Sequence, residues 1–177
     1  MFAVVSWLEG SDAAGVESLW SELRSRFGLF GVYGTPIPHF AYHVSGNLQH
    51  DKACAAIERV TQELPVFTVR TSGLGIFTGP TPVLYIGIVR PAVLTELHAR
   101  IWSSVEAFSP DPLDYYRADS WVPHITLAYP DLTKETLLLA LDELGDRTFA
   151  WTLTVSNVSV VESDGHKIIS NHRFPLS

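Results

Sequence analysis

Val122-Pro123-His124-Ile125-Thr126-Leu127-Ala128-Tyr129-Pro130 is an apolar run broken at alternate positions by a histidine and a hydroxyl. Read as a strand, it turns His124, Thr126 and Ala128 one way and Ile125, Leu127 and Tyr129 the other. Pro123 suits a strand's first position and holds Val122 extended, and Pro130 ends the run. Residues two apart on a strand lie about 6.6 Å apart, so the imidazole and the hydroxyl can flank one small group such as a phosphate. The competing explanation is a buried His and Thr bonded to nearby backbone. The rest of the chain decides between them.

The chain has 177 residues, the length of one domain with a sizeable core, and 46% of them are apolar, including five Trp and nine Phe. That composition excludes a disordered or fibrous protein. A single cysteine, Cys54, precludes an internal disulfide and a Cys-rich zinc site, and points to a reducing compartment. The N-terminal run lacks the basic region and apolar length of a signal peptide, and no stretch is long enough to span a bilayer. The expectation is a cytoplasmic monomer with no membrane association. A formal charge of −7 argues against gripping a long nucleic acid, which needs a dense basic surface. A small phosphorylated ligand held by a few local donors remains compatible with it.

Periodicity predicts strands at Phe2–Leu8, Phe40–Ser45, Val66–Ser72 (running on with a kink to Phe77), Val83–Val89, the His124 run, Phe149–Val161 and Lys167–Phe174. Helices are predicted at 13–27, 49–64, 91–107 and from a cap at Asp131 or Thr133 to Leu144. The two halves repeat one order: strand, helix, irregular loop, strand, helix, strand, offset by about 80 positions. In the first half the strand matching His124 is His39-Phe40-Ala41-Tyr42-His43-Val44-Ser45, with its own His-x-hydroxyl. Strict alternation puts His43 and Ser45 on one face with Ala41 and His39. A pseudo-twofold arrangement would bring both pairs to one cleft.

This pairing resembles the 2H phosphoesterases, which include the bacterial-type 2′-5′ RNA ligase-like proteins and the plant and yeast cyclic nucleotide phosphodiesterases. Their defining feature is two His-x-Thr/Ser motifs about 80 residues apart; here they are His43-Val44-Ser45 and His124-Ile125-Thr126. The second motif is close to the family form, and the first departs mildly, with Ser for the commoner Thr and Gly46-Asn47 after it. The resemblance covers essentially the whole chain. It implies an α+β fold of two pseudo-symmetric lobes, about 1–79 and 80–177, each a mainly antiparallel sheet with helices outside, around a central cleft. It also implies a small nucleotide or an RNA terminus carrying a cyclic phosphate as the partner, with no cofactor.

The chemistry this pair suits is metal-free attack on a phosphodiester. One neutral histidine takes a proton from water or a ribose hydroxyl, and the protonated one gives a proton to the leaving oxygen. The working assignment makes His124 the base and His43 the acid, with Ser45 and Thr126 donating to the non-bridging oxygens. In family members acting on 2′,3′-cyclic phosphates the product is usually the 2′-phosphate. A 2′,5′-phosphodiesterase or RNA ligase shares the same transition-state geometry, and a non-catalytic nucleotide- or RNA-binding module is the rival from another class.

Other candidates are weaker. His39 and His43 have the i, i+4 spacing of a helical zinc pair, but their neighbours favour a strand and no third ligand is evident, so no metal is expected. His39 could line the cleft beside His43, or simply sit at a loop edge. Tyr33, Tyr115, Tyr116 and Trp121 precede the motif strands and could stack on a base or pin their loops. Arg117 is the cation nearest the expected cleft. The remaining histidines, His50, His98, His166 and His172, have no hydroxyl two residues away and are assigned surface or structural roles. The Gly73, Gly75, Gly79 series lacks the Lys-Ser/Thr of a phosphate loop, and no Gly-x-Ser-x-Gly occurs.

Overall fold

Eight strands and four helices, described for residues 1–177 in a computed structural model, follow the predicted order closely. The first half gives β1 (Phe2–Trp7), α1 (Gly10–Phe27), β2 (His39–Ser45), α2 (His50–Thr61) and β3 (Phe67–Phe77). The second gives β4 (Val83–Ile88), α3 (Ala92–Val105), β5 (His124–Ala128), α4 (Lys134–Leu144), β6 (Thr152–Val155), β7 (Asn157–Ser163) and β8 (Ile168–Pro175). Short 3₁₀ turns at Gly31–Gly34, Glu106–Phe108 and Asp114–Tyr116 organise the two loops that precede β2 and β5.

Helix ends follow local chemistry. In α1, Val16, Leu19, Trp20 and Leu23 form the buried stripe, and Gly28 ends it at φ 71°, its N–H bonded to the Arg24 carbonyl. The start lies three residues before the predicted one, at Gly10 rather than Ala13. Thr133, not Asp131, caps α4, through a reciprocal box with Thr136.

The strands form two four-stranded antiparallel sheets. Sheet one has the order β2-β1-β7-β8 and sheet two the order β5-β4-β3-β6. Neither sheet is drawn from one half of the sequence: β3 joins sheet two, while β7 and β8 return to sheet one. The expected single strand Phe149–Val161 is therefore two. β6 pairs with β3, the chain breaks at Ser156, and β7 pairs with β1. The Asn157 amide fixes the crossing, because its Oδ1 accepts from the Trp7 N–H at 3.1 Å and its Nδ2 donates to the Trp7 carbonyl at 3.0 Å. One apolar cluster of 35 buried residues runs through both sheets and all four helices.

β2 and β5 are the outer strands of their sheets, and they lie against each other. An outer strand leaves backbone groups unpaired. Here indoles fill the vacancies: Trp121 and Trp102 donate to the Ala41 and Tyr42 carbonyls, and Trp20 donates to that of Thr126, each at 2.9 Å. Three of the five tryptophans thus fix the two strands that carry the histidine motifs. On the opposite side of sheet one, Val5, Trp7 and Val161 form a second, small apolar cluster with Ala3, Ile37, Ala41 and Ile168 beside it. That cluster is the floor of the cleft.

Candidate active site

β2 is not a regular strand. Val4 pairs with His43 and Val5 with Ala41, so Tyr42 is an extra residue in a β-bulge. The bulge reverses the alternation. His39 and Ala41 face the cleft, Phe40 and Tyr42 face the core, and His43 and Ser45 follow them inward. The expected placement of His43 and Ser45 in the cleft is therefore corrected. His43 is fully buried, its Nε2 bonds the Ser109 hydroxyl at 2.8 Å, and its ring meets Trp102 edge-on at 4.6 Å. Ser45 is equally buried, and its hydroxyl is held by the Asn47 and Asp111 carbonyls at 2.6 and 3.0 Å. Burial pushes the His43 pKa down to about 4, and the charges of His98 and Arg117 add to the shift. A histidine so placed stays neutral and closed off from solvent.

The histidine that β2 turns to the cleft is His39. Its Nδ1 bonds the Ile37 carbonyl at 2.8 Å, and the His124 Nδ1 bonds the Val122 carbonyl at 2.7 Å. A carbonyl only accepts, so Nδ1 carries the hydrogen in both rings. Each neutral imidazole then has its Nε2 lone pair free, and neither Nε2 has a partner within the chain. The local sequences match: Ile37-Pro38-His39 and Val122-Pro123-His124 each place an aliphatic residue and a proline before the histidine. The proline holds the preceding residue extended, which aims its carbonyl back at the ring. This aliphatic-Pro-His repeat was the sequence signal for His39.

Each ring leans on an aromatic of a neighbouring strand. Trp7 meets His39 edge-on at 5.1 Å, while Phe77 and Tyr85 meet His124 at 4.9 and 5.1 Å. Gly75 makes room for Tyr85, since a Cβ there would lie 2.4 Å from the tyrosine ring. Burial lowers the pKa of both histidines, opposed in each by the carbonyl bond at Nδ1; His39 is lowered further by the charge of His124. The two imidazoles are thus electrostatically coupled and hold one proton between them more readily than two.

The cavity beside His39 and Thr126 has a volume of about 470 Å³. Ala3, Val5, Trp7 and Val161 floor it, the 31–35 loop and Tyr129 wall it, and Gly165 of the β7–β8 turn closes the rim. Asp131 ties the loop in place, its Oδ2 accepting the Phe30 and Gly31 N–H groups at 2.7 and 2.9 Å. Gly34 approaches the Gly165 carbonyl so closely that a Cβ would sit 2.8 Å from it. Thr126, on the His124 strand, lines the cavity as expected. The pseudo-equivalent position on β2 is Ala41, so the first lobe contributes a histidine without a hydroxyl.

Most other candidates lie elsewhere. Trp121 is 2% exposed, stacked on His98 at 4.0 Å, and so is core. Tyr116 packs on the core and its carbonyl takes the His98 Nε2–H at 2.8 Å; Tyr115 projects into solvent, 80% exposed. Arg117 pairs with Asp114 and lies over Trp102, behind β2 rather than in the cleft. Tyr33 packs against Trp20 with Arg24 over its ring, pinning the first loop. His39 and His43 face opposite ways and form no metal pair, and no three His, Cys, Asp or Glu side chains gather as ligands.

Comparison with known proteins agrees with the fold. A family model described as the 2'-5' RNA ligase superfamily matches residues 8–167. TT0787 of Thermus thermophilus has a similar structure, with a TM-score of 0.67 at 18% identity over 99% of this chain and 97% of that one. E. coli LigT complexed with 3'-AMP aligns with a TM-score of 0.53 at 15% identity over 99% and 94%. Kluyveromyces marxianus Usb1 gives 0.53 at 12% identity over 99% and 97%. No curated protein sequence gives a significant match. No helix is long and apolar enough to cross a membrane. With residues 8–167 under the family model and this sheet topology, the chain belongs to the 2'-5' RNA ligase superfamily, the 2H phosphoesterases.

Proposed function

We propose that this cleft hydrolyses a 2′,3′-cyclic phosphate on a nucleotide or RNA end to a 2′-phosphate, using His39 and His124 as the acid–base pair. The observation that carries the proposal is the matched bond from each Nδ1 to the carbonyl two residues before it, which leaves two Nε2 atoms for the substrate. Neutral His39 takes a proton from water as the water attacks phosphorus. Protonated His124 gives its proton to the departing 3′ oxygen, and Thr126 donates to a non-bridging oxygen. The direction of the shifts favours these roles: burial lowers both imidazoles, and His39 is lowered further by the charge of His124, as suits the base of the pair. That reverses the base and acid positions of the sequence assignment. No step needs a metal ion, because imidazole titrates near neutrality by itself.

Phosphorus NMR of the products formed from 2′,3′-cyclic nucleotides in EDTA tests this directly. Wild type should give the 2′-phosphate, and His39→Ala and His124→Ala should each slow it by about 10²–10⁴-fold. Turnover abolished by EDTA in wild type would overturn the metal-free mechanism. Unchanged turnover in either variant would remove that histidine from the pair. Tight nucleotide binding without turnover would favour the non-catalytic binding module.

A further inference from the structure

The chemistry lining the cleft goes further than the reaction and restricts the substrate. The sixteen residues around the cavity include no Asp, Glu, Lys or Arg side chain. The floor beside His39 is apolar, formed by Ala3, Val5, Trp7 and Val161, and Ala41 puts a methyl group where the second lobe has the Thr126 hydroxyl. The Trp7 indole N–H is already engaged by Asn171 at 3.1 Å, so it offers the ligand only its ring. Tyr129, 47% exposed on the opposite wall, offers an aromatic face.

No side-chain cation of Lys or Arg lines the cavity. Arg24 lies over Tyr33 at 5.2 Å, and Arg173 pairs with Glu9 at 2.5 Å at the outer end of sheet one. The rim hairpin carries Lys167 outside the lining, where the Asp164 carboxylate of the same turn accepts its backbone N–H and opposes its charge. A phosphodiester brings one negative charge, which protonated His124 and Thr126 can meet. A phosphate monoester elsewhere on the ligand brings up to two more, with no partner side chain, into a protein of net charge −7. A chain of phosphates is worse placed still, because each lacks a cation to neutralise it.

The geometry points to a substrate with a single phosphodiester charge, its uncharged ring seated on the apolar floor beside His39: a nucleoside 2′,3′-cyclic phosphate without a 5′-phosphate, not an RNA chain end. This inference rests on the proposed reaction and narrows its substrate to the smaller class.

The test compares adenosine 2′,3′-cyclic phosphate with the same compound bearing a 5′-phosphate and with a short oligoribonucleotide ending in the cyclic phosphate. Calorimetric Kd values for adenosine 2′-phosphate and adenosine 2′,5′-bisphosphate are measured beside them, all in EDTA with wild-type protein. The expected result is kcat/KM at least about tenfold higher for the first substrate, and Kd tighter for the monophosphate by a similar factor. Affinity for the monophosphate should change by less than about threefold between roughly 50 and 200 mM salt. Equal or better use of the 5′-phosphorylated or oligonucleotide substrate would overturn the inference while sustaining the reaction. Absence of turnover for all three would defeat the proposed reaction, and the two Kd values would then decide the inference alone. Equal affinities, or no binding of either at millimolar concentration, would overturn it.

Discussion

Replacing His43 with alanine separates fold from chemistry most sharply, because the sequence pattern and the structure give this residue opposite roles. The substitution removes a fully buried ring and leaves the Ser109 hydroxyl without its 2.8 Å partner. Large-to-small core changes cost about 2–5 kcal/mol, and an orphaned buried hydroxyl about 1–3. Against these stands a gain, since His43 Nδ1 is itself buried without a partner. The net expectation is a loss of about 3 kcal/mol, or about 6–12 °C in Tm for a chain of this size.

The loss should also depend on pH. The His43 pKa of about 4 in the fold lies below its unfolded value of 6.5, so the unfolded chain takes up the proton first as pH falls. The stability from keeping this ring neutral is fully present above about 6.5 and is lost as pH drops through about 4, roughly 3 kcal/mol in all at 1.4 per unit. His43→Ala has no such group, so the gap between it and wild type should narrow towards pH 4. Urea unfolding at neutral pH and near pH 4.5, with kcat/KM measured below the variant's Tm, reads both quantities. Turnover should stay within about threefold of wild type, far from the 10²-fold or greater loss of a missing acid or base. A variant as stable as wild type but without turnover would refute the bulge argument and return His43 to the cleft.

Other substitutions follow from the same geometry. Thr126→Ala should lower kcat/KM by about 10²-fold, with Thr126→Ser restoring most of it, because Ala41 supplies no second hydroxyl; matching activities of Ala and wild type would contradict this. Ser45→Ala should destabilise the fold by about 1–2 kcal/mol in urea with little kinetic effect, since its hydroxyl serves the Asn47 and Asp111 carbonyls. Ser159 is fully buried with an unpartnered hydroxyl, so Ser159→Ala should leave stability unchanged or raise it by about 1 kcal/mol; a marked loss would reveal an unrecognised partner. In His124→Ala, NMR titration should find the His39 pKa raised, because the neighbouring positive charge is gone.

How far the sequence reveals this molecule depends on which rule governs each position. The His124 strand obeys strict alternation, so its face could be read directly from the pattern. β2 does not, because one inserted residue at Tyr42 turns every later side chain over. Nothing in Phe40-Ala41-Tyr42-His43 announces a bulge, so strict alternation places His43 on the cleft face, where the structure buries it. The repeat of Ile37-Pro38-His39 in Val122-Pro123-His124 was legible, but it competes with a His-x-Ser match that alternation alone makes attractive. The halves were visible as a repeated order of elements. Their exchange of strands was not, because the hop from β6 to β7 depends on the Asn157 amide bracketing Trp7, 150 residues away. The role of the indoles on the outer strands is tertiary in the same sense. Hydrophobic periodicity marks those tryptophans as apolar and leaves their N–H groups unassigned.

The central claim is that His39 and His124 divide one proton between them in a single cleft, and the pH dependence of kcat/KM for a 2′,3′-cyclic nucleotide in EDTA tests it most directly. Wild type should give a bell with its maximum on the acid side of neutrality, because burial holds both imidazoles below the ordinary 6.5. His39→Ala, lacking the base, should lose the limb that rises with pH. His124→Ala, lacking the acid, should lose the limb that falls. A maximum above pH 7, or a full bell surviving in either variant, would contradict the account.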